Sequence, residues 1–156
     1  MPTIEISDLR PDEVLSFDLI DILRLIEPFG VGLDWYFIEF ELGSFLGARE
    51  NKVSERTLSL WRNIKKSQDG TRVSWNDLTD FALNLIQTDM ALLVGVAPGS
   101  ARPTEPLDLS SEDFNIVIQA VDCAFWAVTA RNEEVITRIK NHFHSTEIVE
   151  KAKRYF

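Results

Sequence analysis

Two histidines, one cysteine and a glycine pair are the residues whose types most often carry chemistry. His142 and His144 stand two apart near the end of a predicted helix, where side chains at that spacing diverge instead of converging on a metal ion. No second cysteine and no His-Glu-x-x-His run supplies further ligands, so neither a metal nor a cofactor is expected. Cys123 has no histidine before it in the chain, and neither Gly43-Ser44 nor Gly99-Ser100 sits in the Gly-x-Ser-x-Gly turn of a serine nucleophile. Within its apolar run Cys123 reads as a small core residue. Gly30-Val31-Gly32 comes ahead of a strand, whereas a phosphate loop follows a strand and opens a helix so that amide donors face the phosphates. Twenty-five carboxylates leave a pair for general acid and base work numerically open, yet no spacing marks one. The expectation is a protein that is not an enzyme, with a hydrolase using paired carboxylates as an alternative.

Charge is unevenly distributed along the chain. The net value is -9, with -8 over residues 1–50 and -7 over residues 76–130. Between them residues 51–75 carry +4, through Lys52, Arg56, Arg62, Lys65, Lys66 and Arg72, and residues 131–156 carry +2. A surface of this sign repels phosphate, so nucleic acid is not the expected ligand, and a protein partner with a basic surface is. The 45% apolar and 26% charged composition, with four Trp and ten Phe, suits one packed domain over residues 1–156. One cysteine forms no internal disulfide, Glu5, Asp8, Asp12 and Glu13 stand where a signal peptide needs a basic start, and the apolar run from Met90 to Pro98 is too short to cross a bilayer. A cytoplasmic protein without membrane association is expected, its oligomeric state left open.

The elements that would position any site follow from periodicity and caps. Leu19, Ile20, Leu23 and Ile26 predict a helix from Ser16 to Glu27, stopped by Pro28. The aromatic stretch Leu33 to Leu42 predicts a strand bounded by Gly43, and a turn then leads to a helix from Ser54 to Lys66 with a basic outer face. Ser74 and Asp77 open an amphipathic helix through Trp75, Leu78, Phe81, Ala82, Leu85 and Ile86. Met90 to Val96 reads as a buried strand, and Ala97 to Ser111, with three prolines, as a mobile surface loop. Phe114 to Val121 and Ala124 to Ala130 are further strands, Asn132 caps a helix, and Ser145 starts a short terminal one. This order is not strict alternation, so the class is α+β, an antiparallel sheet of about four strands with helices packed mainly on one side.

The strand from Leu33 carries the candidate site. Period-two alternation sorts Tyr36, Ile38, Phe40 and Leu42 onto one face and Trp35, Phe37, Glu39 and Glu41 onto the other. Aromatics ringed by acids suit a basic protein surface, the rings supplying affinity and the carboxylates steering. Asp34, Trp35, Phe37, Glu39 and Glu41 are therefore the candidate partner-binding residues, although Trp35 and Phe37 can equally be core.

The run Phe114 to Val128, with Val121-Asp122-Cys123-Ala124-Phe125-Trp126 at its centre and Asn132-Glu133-Glu134 opening a helix behind it, resembles the second half of small acidic bacterial immunity proteins of polymorphic or contact-dependent toxin systems. Leu33 to Glu41, Ser74-Trp75-Asn76-Asp77-Leu78 and Met90 to Gly95 fall in a similar order, while Cys123-Ala124 departs from the small hydroxyl residues expected there. The resemblance implies tight, non-catalytic neutralisation of a cognate toxin, often a basic nuclease. A dimeric secretion chaperone holding an effector segment is the other interaction class of this size and acidity.

Overall fold

Helix starts follow the capping residues of the chain. In the computed structural model, which describes residues 1–12, 14–44 and 54–156, Asp18 caps α1 (Leu19–Gly30), Ser54 caps α2 (Glu55–Lys66), Ser74 caps α3 (Trp75–Leu83) and Asn132 caps α4 (Glu133–His142). Each side chain accepts a first-turn amide that has no partner within the helix. The expected turn after Gly43 falls largely in residues 45–53, outside the described residues, as do Glu13, Lys52 and the side chain of Leu42.

Among the described residues the strands are β1 (Thr3–Ile6), β2 (Asp34–Ser44), β3 (Thr71–Val73), β4 (Gln87–Val96), β5 (Ile116–Val121), β6 (Phe125–Ala130) and β7 (Thr146–Val149). They form one antiparallel sheet in the order β3-β2-β4-β5-β6-β1-β7. The class is α+β, with seven strands in place of about four. β1, β3 and β7 have only three or four residues each, too few for alternation to show. β7 also replaces the helix expected from Ser145. Pro28 does not end α1: it removes one amide near the end of the helix, and Val31 still donates to Glu27 O at 3.0 Å.

The helices cover one side of the sheet. Ile22, Leu23 and Ile26 of α1, Ile64 of α2, Leu78 and Phe81 of α3, and Val135 and Ile139 of α4 close over Ile4, Ile6, Trp35, Phe37, Leu93, Ile118 and Trp126. The other side is apolar too, through Tyr36, Leu92, Val94, Val96 and Val117, and among the described residues no helix lies on it. It is covered by the helix-free, strand-free connection from Ala97 to Asn115, whose Leu109 and Phe114 are buried, and by Ala152 and Phe156 beyond β7. The expected loop is therefore a cover for the sheet over part of its length, with Ala97 to Arg102 exposed. No helix among the described residues is long and apolar enough to cross a membrane.

Candidate protein-interaction surface

A bulge in β2 decides which candidate residues reach solvent. Phe37 stands opposite Leu93 of β4, but Glu39 stands opposite Leu92, so Ile38 is an extra residue and the alternation changes phase there. Trp35 and Phe37 consequently face the helices while Glu39 joins Ile38 on the other side. The expected face of aromatics mixed with acids does not form.

Trp35 and Phe37 are fully buried, at 0% and 1% exposure. The Trp35 indole donates to Gly30 O at 2.8 Å, and its ring lies tilted against Trp75 with centroids 5.9 Å apart. Phe37 meets Phe40 and Phe81 edge to face at 5.4 and 5.5 Å. These rings are core, held where a partner reaches them only by unfolding the domain. Asp34 is partly buried and engaged locally: it accepts from Arg72 of β3 at 3.1 Å and from the Gly99 amide at 3.3 Å.

The two glutamates behave differently. Glu41 is exposed opposite Met90, and Glu39 is 43% exposed. Glu39 borders a cleft of 420 Å³ between β2, the turn Ser67–Asp69 and the Pro103–Leu107 part of the covering loop. Its rim carries three carboxylates, Glu39, Asp69 and Glu105. Arg154 bridges two of them, donating to Glu39 at 2.5 Å and to both oxygens of Glu105 at 2.7 and 2.8 Å. Arg102 fixes the loop across the cleft by donating to Asp69 O and Gly70 O, with its guanidinium 5.7 Å from the Tyr36 ring centre. Asp69, Glu105 and Arg154 were missed from sequence because the cleft joins three segments that no local pattern links.

Two further titratable groups, Cys123 and Asp108, lie in turns. Asp122 and Cys123 both take left-handed backbone angles, φ 47° and 57°, within the three-residue turn Asp122–Ala124 that joins β5 to β6, where Val121 pairs with Phe125 and the Ala124 amide donates to Val121 O. Cys123 is thus a partly exposed turn residue and not the core residue expected. Burial, then the neighbouring Asp89 carboxylate to which the thiol donates, push its pKa up to about 11. Asp108 is held below the usual carboxylate range by the Ser110 hydroxyl and amide. His142 and His144 are both exposed, and among the described residues no group of three or more His, Cys, Asp and Glu is placed to hold a metal ion.

The fold and cleft together define an acidic α+β domain with a carboxylate-rimmed surface between sheet and covering loop. No protein-family model, curated protein or solved structure matches this chain.

Proposed function

We propose that this chain is a non-catalytic binding protein of the immunity type, which neutralises a basic toxin in the cytoplasm by presenting its acidic cleft to it. The observation that carries the reading is the convergence of Glu39, Asp69 and Glu105 on one cleft, with Glu41 exposed further along β2, in a chain of net charge -9. Carboxylates held on a rigid sheet edge and a braced loop raise the local concentration of a basic partner and speed its docking. Asp34, Trp35 and Phe37 enter this reading as the support of the strand that presents the glutamates.

The test uses the protein encoded beside this chain, if it ends in a basic domain, and follows association by stopped-flow fluorescence at low and moderate salt. Glu39→Lys combined with Glu41→Lys should slow association by roughly tenfold or more at low salt, with a smaller loss as salt rises. An unchanged association rate in the double variant at low salt would remove the acidic cleft from the interface.

A further inference from the structure

The side of the sheet on which no described helix lies is crossed by residues 152–156, which belong to no helix or strand. Their main anchor is Gln119, at the middle of the otherwise apolar β5 and only 1% exposed. A buried amide is unfavourable unless both of its functions are bonded. Here both go to the backbone of the crossing segment: Nε2 donates to Lys153 O at 2.9 Å, and Oε1 accepts from the Tyr155 amide at 3.2 Å. Reading a carbonyl and an amide two residues apart holds an extended chain whatever its side chains, as an added strand does.

The side chains around that anchor select a composition. Arg154 lies between Glu39 and Glu105, the Tyr155 hydroxyl donates to Glu5, and the Tyr155 ring meets Phe125 edge to face at 5.2 Å. Phe156 packs on the apolar cluster of Tyr36 and Leu92. The rim is acidic, and the segment Lys151-Ala-Lys-Arg-Tyr-Phe156 brings three cations and two aromatics to it.

We propose that this face is a groove for an extended basic-aromatic segment of a partner protein, and that residues 152–156 occupy it in cis as a displaceable strap. The proposal deepens the reading above and rests on it for the nature of the partner. Two features make the strap replaceable. It is joined to the sheet by the two bonds of one glutamine and by side chains, with no strand ladder. In addition, Arg154 Nε is buried without a hydrogen-bond partner among the described residues, an imperfection that a better-fitting segment need not have.

The probe is a fluorescein-labelled peptide, Glu-Lys-Ala-Lys-Arg-Tyr-Phe, added to the full chain at low salt and followed by anisotropy. The triple variant Arg154→Ala, Tyr155→Ala, Phe156→Ala strips the strap of its side-chain contacts and leaves it only the two backbone bonds to Gln119, and it should bind the peptide roughly tenfold tighter than wild type, because the competent state is less occluded. Adding Glu39→Lys and Glu105→Lys should abolish binding. Equal binding by wild type and the triple variant, or none by either, overturns the proposal. Hydrogen exchange on the wild type gives an independent check that needs no variant. The Tyr155 amide should exchange much faster than the amides of β5, and equal protection would show the strap to be a fixed part of the sheet. Competition between the peptide and the basic partner separates the two ideas. Peptide binding that leaves partner association untouched keeps the groove and overturns the docking of the partner there. Partner association that depends on Glu39 while the triple variant ignores the peptide overturns the groove alone.

Discussion

Asp18 and Thr88, seventy residues apart, share a carboxylate: Oδ2 accepts from the Thr88 amide at 3.1 Å and Oδ1 from the Thr88 hydroxyl at 2.9 Å. The same Asp18 caps α1, accepting from the Leu19 amide while its own amide donates to Asp21. One side chain therefore joins the first turn of a helix to the start of β4. Asp18→Ala removes the cap and leaves buried Thr88 unpaired, and it should lower stability by about 2–3 kcal/mol in urea unfolding at neutral pH.

Asp18 also gives a pH dependence. Burial outweighs its hydrogen bonds and raises its carboxyl above the ordinary 3.8. A carboxyl that holds its proton more tightly folded than unfolded contributes stability that is fully present below its unfolded value and lost as pH rises through the raised folded one. Asp18→Asn carries no such group. The stability of wild type relative to Asp18→Asn should accordingly fall as pH rises through that window, read from urea midpoints at matched ionic strength.

Trp35 tests whether the buried aromatics of β2 act through the fold. The ring has no exposed surface and its indole holds the end of α1 through Gly30. Trp35→Ala should cost about 3–5 kcal/mol of folding stability. A variant that melts like wild type yet loses a partner would contradict the core assignment.

Gly30 sits where α1 meets two tryptophans. A Cβ there would come within 2.6 Å of the Trp75 ring and 3.3 Å of the Trp35 ring. Gly30→Ala should therefore destabilise by about 1–3 kcal/mol through overpacking, although alanine is the better helix former. Thermal unfolding followed by circular dichroism decides the sign.

Cys123 should be a slow thiol. With its pKa pushed up to about 11, its thiolate is scarce at pH 8, and alkylation by iodoacetamide should run roughly tenfold or more below that of a free cysteine peptide. Asp89→Asn removes the carboxylate that accepts the thiol proton and should speed the reaction.

The helices were legible because their signals are local. Ser54, Ser74 and Asn132 each announce a start, and Val135, Ile136 and Ile139 announce the buried face behind one of them. β4 was legible as an apolar run because it is buried on both sides from Ala91 to Val96. β1 was not, since four residues with partners at Thr129 and Val149 leave no nearby trace. The acids of β2 were visible, but their face was not: one inserted residue at Ile38 moves Glu39 away from Trp35 and Phe37, and a bulge has no composition of its own. Gln119 within Ile-Val-Ile-Gln-Ala-Val was the available sign of the crossing segment, a polar residue with no surface reason to interrupt a buried strand.

The position of β1 in the sheet bears on how the chain is made. Thr3–Ile6 is made before every other strand of the sheet, yet its two neighbours are residues 126–129 and 146–149. The β2-β4-β5-β6 meander can pair progressively as it emerges, whereas Thr3 must wait for Thr129, 126 residues further on, as its first partner. Closing so long a loop is slow, and until it closes Ile4 and Ile6 form an unpaired apolar ribbon next to the open edge of β6. The nascent chain is thus exposed to chaperone capture and to pairing with a neighbouring copy at this edge, and the sheet is completed by its first-made strand docking last.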